Sequence, residues 1–531
     1  MSDLRRMSGL DALLFSMELP EQPMQSMTMA ILRPAQDDEQ RPIRISLDDV
    51  RRHVACRLDA LPAFRLCIKQ VPLGLHHPVF VEAADFDLDQ HLSHATLSAP
   101  GGPAELNQLY AALAQRCLDR RRPLWHLTLV DGLEGGRQAL VLEVHHCLMD
   151  GAAGLILFSN LFSNDAAQRS GPAAGWHPES APGRWRLIVD AIADHRRGLG
   201  RLPVLIRKTS RGLATSRKAD ARATIAVPRA GADAPPCSLN LGFTPERRFA
   251  RAILPLADIE LVKDVAGVAM NDVVLCVIAG ALRDYLAGRH DLPGRSLIAN
   301  VPVGMKASAD SSRAVGNYIT RLTTSLATNV ANPWVRLLTI SAVTRESKRR
   351  LVRRGRKVAT EWLDLIPPAV FSAAVRRNSQ RRRSHPDYLD TNVTISTIRG
   401  PVRPWSFGSA VVEEMYLSAP PNSGVGVTFV VWDYAGRLLV GILSFADSVD
   451  TPDELASGLS HSLSELVTIA RCRQGESATS ASGFTPCARP VTDQSAAVER
   501  VLATRFATAG SRRHSADFLV DGMYQQSDQG G

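Results

Sequence analysis

Two adjacent histidines, His145 and His146, lie in the stretch VHHCLMDGAAG and are followed by Asp150 and Gly151. The preceding segment ALVLEV consists of residues that favour strands, so we predict that the pair lies at the end of a strand. Successive side chains of a strand point to opposite faces, which places the two imidazoles badly for binding one ion. The chemistry predicted for this pair is therefore proton transfer, and we predict no metal site.

His146 is the better candidate for a general base. In the two-residue period of a strand it lies on the same face as Leu140, Leu142 and Val144, which we expect to point into an apolar interior. Burial disfavours the imidazolium, lowers the pKa of a histidine and leaves a neutral ring that can accept a proton. Because an aliphatic hydroxyl needs such a base to attack a carbonyl group, we predict that His146 activates a hydroxyl.

Asp150 and Gly151 connect the strand end to an apolar stretch, Ala152 to Phe162, which we predict to be helical. Gly151 allows the tight turn, and Asp150 either caps this helix or holds an arginine or histidine that fixes the strand end. The alternative to chemistry is a histidine pair with a structural role only. The chain contains such a pair in His76-His77, which lacks the following Asp-Gly and to which we assign no chemistry.

The length of 531 residues exceeds what one hydrophobic core usually serves, so we predict two lobes. The predicted divisions are an N-terminal lobe over 1–163, a linker with an amphipathic helix over 164–240, a C-terminal lobe over 241–472 and a mostly disordered tail over 473–531. In the second lobe, Asn271 or Asp272 is well placed as the N-cap of the apolar helix that follows. The strands predicted for this lobe include Ser296 to Val303, Asn392 to Thr397, Gly426 to Trp432 and Arg437 to Phe445, the last two forming a hairpin.

Composition excludes several classes of protein. The eight cysteines are scattered without a CxxC pair, which argues against a zinc knuckle or a disulfide framework and favours a reducing, cytoplasmic compartment. No apolar stretch reaches the roughly 18 to 20 residues that span a bilayer. The net charge of +9 suits acidic partners such as lipid surfaces, but aromatic residues make up only 5% of the chain and no reader motif is present. We therefore expect no nucleic-acid partner.

The stretch HHCLMDG resembles the HHxxxDG signature of the CoA-dependent acyltransferase superfamily. The flanking segments resemble, in order over roughly residues 7 to 470, those of the wax ester synthase/diacylglycerol acyltransferase family. These segments are MSGLDALLFSMELPEQPM, DFDLDQHL, LDRRRPLWHLTLVDGLEGG, MNDVVLCVIAGALRDYL and VGNYIT. The resemblance implies an α/β fold of two chloramphenicol-acetyltransferase-like lobes with a channel between them and His146 at their interface.

The resemblance also implies roles for individual residues. His146 would be the general base, His145 and Asp150 would support its geometry, and Gly151 would make the turn. Asn271 would donate a hydrogen bond to the developing oxyanion, unless it serves only as a helix cap. The residues expected to contact substrate or shape the channel are Pro123, Leu124, Trp125, Asp272, Gly316 and Asn317. For the segment PLW, a strand start with a core tryptophan is the alternative.

The implied activity is transfer of an acyl group from acyl-CoA, a co-substrate, to a hydroxyl without any cofactor. The acceptor would be diacylglycerol, giving triacylglycerol, or a long-chain alcohol, giving a wax ester. We expect a cytoplasmic protein that meets a membrane or lipid-droplet surface through two basic runs, Arg345 to Lys357 and Arg376 to His385, unless these are solvated helix faces. Two alternatives remain: a carrier-protein-dependent acyltransferase of the same superfamily, and a non-catalytic lipid-binding protein. The second is suggested by STIRGP, residues 396–401, where the family commonly reads SNVPGP.

Overall fold

The computed structural model describes residues 4–162, 178–228, 234–241, 244–305, 315–384, 389–422 and 424–481. Within these ranges the helices, in chain order, are α1 (Gly9–Ser16), α2 (Leu47–Ala55), α3 (Pro103–Leu113), α4 (Gly151–Phe162), α5 (Arg184–Asp220), α6 (Leu256–Ala266), α7 (Met270–Gly288), α8 (Pro333–Arg354), α9 (Val358–Leu363), α10 (Pro368–Ser384) and α11 (Pro452–Ala481). The strands are β1 (Gln25–Arg33), β2 (Ala35–Gln36), β3 (Pro42–Ile43), β4 (Leu66–Lys69), β5 (Val79–Glu82), β6 (Leu92–Thr96), β7 (Trp125–Asp131), β8 (Gln138–His145), β9 (Arg247–Pro255), β10 (Ile298–Gly304), β11 (Ile319–Ser325), β12 (Val393–Arg399), β13 (Ser406–Phe407), β14 (Ala410–Ser418), β15 (Val427–Tyr434) and β16 (Arg437–Phe445).

The first large sheet contains the strand that carries the histidines. Its order is β13-β14-β1-β8-β7-β6, so β8 is a central strand between β1 and β7. Both neighbours run antiparallel to β8, with Ser26 opposite Val144 and Gln25 opposite His145. The predicted strand before the histidine pair is confirmed. All of β8 is buried, because side chains of both faces pack into one core.

The second large sheet has the order β11-β10-β12-β15-β16-β9. The hairpin predicted between residues 426 and 445 is confirmed as β15 and β16, which pair antiparallel along their whole length. Side chains of β15 alternate between two cores: Phe429 and Val431 pack with α7 and α11, whereas Val430 and Trp432 pack into the core of the first sheet. The second sheet is therefore buried on both faces at β15 and β16, and one of these faces joins the two lobes.

The lobes exchange a strand, so the predicted boundary at residue 241 does not separate them completely. Strands β13 and β14 follow that boundary in the chain, yet β14 pairs with β1 at what would otherwise be an edge of the first sheet. This pairing satisfies the backbone groups of β1 that would otherwise be unpaired. The helix predicted inside the linker is present as α5. The predicted tail begins too early, because α11 continues to Ala481, and the remainder of the tail lies outside the described residues.

In the part of the chain that the structure describes, no single helix is both long and apolar enough to cross a bilayer. Helices α6 and α7 reach the required length and hydropathy only as a pair, and they are bent by 108° relative to each other. The side chains of α7 fill the second core, where they pack against α8 and α11.

Candidate active site at the junction of the lobes

The end of β8 is held by the backbones of its two neighbours. The His145 amide donates to the Leu124 carbonyl at 3.0 Å, and the His146 amide donates to the Met24 carbonyl at 2.7 Å. These bonds fix the main chain at the point where the strand ends and the loop toward Asp150 begins. The positions of both imidazoles therefore follow from the sheet.

His146 is only partly buried, whereas His145 is completely buried. The apolar surroundings that we expected for His146 are found more fully around His145. The reason is that β8 is enclosed on both faces, and His146 lies one residue beyond its end. Burial nevertheless lowers the pKa of His146 to about 4, with a smaller contribution from the neighbouring His145. The predicted direction of the pKa shift is confirmed, and the ring is neutral near pH 7 while part of it stays accessible.

Ser26 on β1 fixes the orientation of the His146 ring. Its hydroxyl oxygen lies 2.9 Å from Nδ1 of His146, a hydrogen bond in which either group can donate. When Nδ1 carries the proton and donates to Ser26, the lone pair of Nε2 is free to accept a proton. No motif in the sequence pointed to Ser26, because its contact depends on the pairing of β1 with β8.

His145 has a different hydrogen-bonding pattern from that of His146. Its Nδ1 accepts from the Cys147 amide at 3.1 Å, so a ring proton resides on Nε2, which lies 3.2 Å from Oε2 of Glu18. Burial would raise the pKa of Glu18, but His145 and Arg120 outweigh it and hold this pKa below its ordinary value. Because Nδ1 accepts a hydrogen bond and the ring is completely buried beside Glu18, His145 supports the loop and offers no accessible lone pair to a substrate.

Asp150 links the loop to both lobes. Its Oδ1 accepts from the amides of Ala152 and Ala153 at 3.0 Å, which caps the first turn of α4. Its Oδ2 accepts from the Tyr318 amide, in the second lobe, at 2.6 Å. The capping alternative of the sequence analysis is confirmed. The other alternative was an arginine or histidine held by this carboxylate, and the backbone amide of Tyr318 takes that place.

Gly316 and Asn317 form a clasp over the same loop. The Gly316 amide donates to the Leu148 carbonyl at 2.7 Å, and its φ of +107° is a backbone conformation that glycine adopts without strain. The Asn317 side chain donates to the His146 carbonyl at 2.9 Å and to Oδ1 of Asp11 at 2.8 Å. Both residues therefore stabilise the backbone of the site, and sequence reasoning had expected them only to shape a channel.

Asp11, in α1, is the residue of this clasp that sequence reasoning missed. It is buried and accepts from the backbone and side-chain amides of Asn317 and from the Ser8 hydroxyl. Burial raises its pKa to about 6, although these hydrogen bonds act in the opposite direction. The only signal in the sequence was its place in the opening segment that resembles the family.

The segment PLW serves the core. Trp125 is fully buried, stacks between Phe64 and His91, and donates from Nε1 to the Phe64 carbonyl at 2.9 Å. Pro123 and Leu124 are buried as well, and the Leu124 carbonyl accepts from His145. The structure thus favours the core alternative, because a direct substrate contact would require Trp125 to leave two aromatic stacks and a hydrogen bond.

Asn271 and Asp272 occupy the first turn of α7, but neither is its N-cap. The helix begins two or three residues earlier than these caps would give, at Met270, and Ala269 is the N-cap residue. The buried carboxylate of Asp272 accepts from the Ala269 amide at 3.3 Å and from the Ser341 hydroxyl at 2.9 Å, which is a structural role. Asn271 is partly exposed, and its side-chain amide has no hydrogen-bond partner among the described residues. Its predicted role at the oxyanion stays a prediction.

The loop closely approaches the second sheet at Gly151. A Cβ atom on Gly151 would lie 3.0 Å from the Ile398 side chain of β12, so glycine allows this approach. A cavity of about 190 Å³ lies near the buried His145, and its lining includes Phe15, Glu18 and Arg120 together with Pro368 of α10. In the described ranges no three His, Cys, Asp or Glu side chains are grouped as metal ligands.

Comparisons with family models and with known sequences point to the same family. The model described as the wax ester synthase/diacylglycerol acyltransferase catalytic domain matches residues 7–274, and that of the C-terminal domain of the same family matches residues 315–467. A protein of Mycobacterium tuberculosis, provisionally named a diacylglycerol O-acyltransferase, is 32% identical over 86% of this chain and 94% of its own length. A second protein of this organism with the same provisional name is 29% identical over 88% of this chain and 98% of its own length.

Comparisons with solved structures agree on the fold. The wax ester synthase/diacylglycerol acyltransferase from Marinobacter aquaeolei superposes with a TM-score of 0.60 at 22% identity, covering 88% of this chain and all of that one. The starter condensation domain of rhizomide synthetase superposes with a TM-score of 0.53 at 14% identity, covering 89% and 96% of the two chains. The two-lobe α/β fold inferred from the resemblance is confirmed. With its two matching domains and its relatives, the chain belongs to the wax ester synthase/diacylglycerol acyltransferase family, and it is an acyltransferase.

Proposed function

We propose that this enzyme transfers the acyl group of acyl-CoA to the hydroxyl of diacylglycerol, forming triacylglycerol, or of a long-chain alcohol, forming a wax ester. The observation that carries the proposal is the state of His146 at the junction of the lobes. Its ring is neutral near pH 7, partly accessible, and oriented by Ser26 so that Nε2 can accept a proton. The surrounding backbone is fixed by β1, β7 and Asn317, so the base is held in position before substrate arrives.

In the proposed reaction the acceptor hydroxyl gives its proton to Nε2 of His146 as its oxygen attacks the thioester carbonyl. A C–O bond forms, and the charge that develops on the carbonyl oxygen needs a hydrogen-bond donor. Asn271, whose amide has no partner among the described residues, is the proposed donor. Collapse of the intermediate breaks the C–S bond, and the imidazolium returns its proton to the departing coenzyme A. No cofactor other than the co-substrate acyl-CoA enters the proposal.

Coenzyme A is the proposed carrier of the acyl group. The starter condensation domain with the same fold was solved in complex with C8-CoA, which supports a thioester of this type as donor for the fold. A donor bound to a carrier protein is the alternative. Comparing the rate with palmitoyl-CoA and with a palmitoylated carrier protein distinguishes the two.

We also propose that the enzyme works in the cytoplasm at a membrane or lipid-droplet surface, since both organic substrates are lipids. The basic run of residues 345–357 is a weak candidate for this contact. Arg350 and Arg353 pair with Asp220 of α5, and Arg353 also pairs with Glu346, so much of its charge is used within the protein. The second run, residues 376–385, lies in α10 and extends beyond the described residues.

Product analysis tests the proposed function directly. Purified protein is incubated with labelled palmitoyl-CoA and either diolein or hexadecanol, and the lipids are separated by thin-layer chromatography. We expect labelled triacylglycerol, wax ester or both, and the more abundant product identifies the preferred acceptor. Label that stays in palmitoyl-CoA with both acceptors would contradict the proposal and favour a non-catalytic lipid-binding protein.

The pH dependence of kcat/KM follows from the lowered pKa of His146. The neutral ring is the base, and with a pKa of about 4 it stays neutral down to well below pH 6. We therefore expect constant kcat/KM from neutral pH down to mildly acidic pH, with a half-maximal value near pH 4 instead of near the ordinary histidine value.

Other titrating groups require a control for this pH profile. Burial raises the pKa of Glu143, beneath the site on β8, to about 7. A loss of activity near pH 7 that disappears in Glu143→Gln belongs to that carboxyl group. A loss near pH 6 to 7 that persists in Glu143→Gln and in Asp11→Asn would contradict the low pKa of His146.

Ser26→Ala is expected to lower kcat by about fivefold, because a neutral hydrogen bond of about 1 kcal/mol no longer favours the productive tautomer and orientation of His146. The matched control is Ser93→Ala on β6, which removes a hydroxyl 2.9 Å from Nε2 of His126 outside the site. Steady-state kinetics with hexadecanol measure both variants. Equal values of kcat in the two variants would show that Ser26 does not orient the base.

A further inference from the structure

Helix α5 carries apolar side chains on the face that points away from the protein. Trp185, Val189, Ile192, Leu199 and Ile206 are between 52% and 80% exposed. Their spacing of 4, 3, 7 and 7 residues places them along one side of a helix, over about 30 Å at the helical rise per residue. We call these five residues the outer stripe. A row of exposed large apolar side chains of this length is unusual on a protein that works alone in water.

The opposite side of α5 is the side that packs. Its buried residues recur at helical spacing and include Leu187, Ala191, Leu205 and Thr209. Trp362 of α9 donates from Nε1 to the Thr209 hydroxyl at 3.0 Å. The buried face therefore packs on both lobes, with Leu187 and Ala191 against Val71 and Val79 of the N-terminal lobe and Thr209 against α9. The outer stripe is the other side of the same amphipathic helix.

Polar contacts prevent α5 from rotating to bury the outer stripe. Arg6, near the start of the chain, pairs with Asp190 and lies 2.9 Å from Asp194. His195 is bonded through Nε2 to the Leu75 carbonyl at 2.6 Å. Because these residues anchor the first half of the helix to the N-terminal lobe, the outer stripe stays directed outward.

The charge beside the outer stripe is positive. Arg196 and Arg207 lie on the same side of the helix as the stripe and are exposed, and Arg201 and Arg211 are exposed nearby. The acidic residues of α5 are engaged toward the protein, Asp190 and Asp194 with Arg6, and Asp220 with Arg350. An apolar stripe flanked by arginines has the composition of a helix that lies in the headgroup region of an anionic membrane.

We propose that the outer stripe of α5 is the surface by which this protein docks on an anionic lipid surface, with the apolar side chains entering the headgroup region. A second copy of the chain is a poorer partner, because pairing of two stripes would bring Arg196 and Arg207 against their equivalents in the other copy. The purpose of docking, delivery of a lipid acceptor, rests on the proposed function. The docking itself is argued from α5 alone and does not depend on that function.

Vesicle flotation tests the proposal with the full-length protein. The parent is mixed with vesicles of phosphatidylcholine alone or of equimolar phosphatidylcholine and phosphatidylglycerol. The variant Val189→Gln/Ile192→Gln/Leu199→Gln removes apolar surface with a residue that favours helices and leaves the charge unchanged. The control Leu241→Gln/Val402→Gln changes two exposed apolar residues outside α5. A second variant, Arg196→Gln/Arg207→Gln, removes two of the charges and leaves the stripe intact.

We expect the parent and the control to float with the anionic vesicles. The partition coefficient of the triple variant is expected to be lower by about tenfold or more. The arginine variant is expected to bind the anionic vesicles more weakly than the parent and the phosphatidylcholine vesicles equally. Added salt is expected to weaken binding of the parent to the anionic vesicles in the same way. A parent that does not float, or a triple variant that floats like the parent, overturns the proposal. A parent dimer that the triple variant converts to a monomer, as measured by sedimentation, also overturns it in favour of self-association.

Acyl transfer in detergent micelles separates this proposal from the proposed function. All variants are expected to keep the parent's rate there, because α5 carries none of the residues placed at the site. A parent that floats and forms no ester leaves docking intact and contradicts the proposed function. A parent that forms ester in micelles and does not bind vesicles contradicts docking alone.

Discussion

Replacing His146 by alanine is expected to lower kcat by about 10²- to 10⁴-fold, the contribution that a positioned general base usually makes. In the HHCLMDG loop, the partly exposed ring of His146 leaves Nε2 accessible for accepting a proton, whereas the ring of His145 is completely buried and its Nδ1 accepts from the Cys147 amide. The side chain of His146 is partly exposed, so its removal is expected to cost little stability. Single-turnover rates with palmitoyl-CoA and hexadecanol measure the effect on the chemical step.

His126→Ala is the matched control for this variant. His126 is also partly buried, its pKa is also lowered to about 4 by burial, and one of its ring nitrogens, here Nε2, also lies 2.9 Å from a serine hydroxyl. It belongs to β7, however, and has no contact with the loop among the described residues. We expect His126→Ala to keep the parent's rate. A His146→Ala variant that remains folded and nearly as active as His126→Ala would show that another group is the base.

The parts of the site that could be predicted from the sequence are those determined by neighbours in the chain. The strand before His145 and the hairpin of β15 and β16 follow from alternation and turn residues. The cap of α4 by Asp150 follows from the residue type and its place before an apolar run. In each of these the partners lie within a few positions of each other, so a pattern of residue types contains the necessary information.

The clasp around the loop could not be predicted in this way. Asn317 reaches His146 across 171 positions and Asp11 across 306, so no local pattern relates the three residues. The same is true of Ser26, whose place beside His146 depends on the register of β1 against β8. The exchange of β14 into the first sheet also depends on which strand edge is left open once the chain has folded.

The segment of the second lobe that departs from the family pattern still packs against the site. The segment 396–401 differs from the usual family pattern, yet Ile398 packs against Gly151. A Cβ atom on Gly400 would lie 2.2 Å from the Asp433 carbonyl, so glycine is required at that position. The altered segment therefore still fits closely against both the loop and β15. This argues for a retained site over a chain that has lost its activity.

Asp150→Ala is expected to have the second largest effect, on stability and on activity together. The change removes the cap of α4, worth about 0.5 to 2 kcal/mol, and the acceptor of the Tyr318 amide, worth about 1 kcal/mol or more. The expected loss in the free energy of unfolding, measured in urea, is therefore about 2 to 4 kcal/mol. Because Asp150 also fixes the loop against the second lobe, kcat is expected to fall at temperatures where the variant is fully folded.

Asn332→Ala separates the two effects, because Asn332 caps α8 in the same manner, accepting from the amides of Trp334 and Val335 at 3.0 Å. This control is expected to lose about 1 kcal/mol of stability and no activity, since α8 begins away from the loop. In Asp150→Asn the side-chain oxygen can still cap α4, but the NH₂ group would face the Tyr318 N–H, and two donors cannot form a hydrogen bond. This variant is therefore expected to lose activity with a smaller loss of stability than Asp150→Ala. If Asp150→Asn and Asn332→Ala both retain the parent's kcat, Asp150 is a helix cap and nothing more, and the connection to Tyr318 does not position the base.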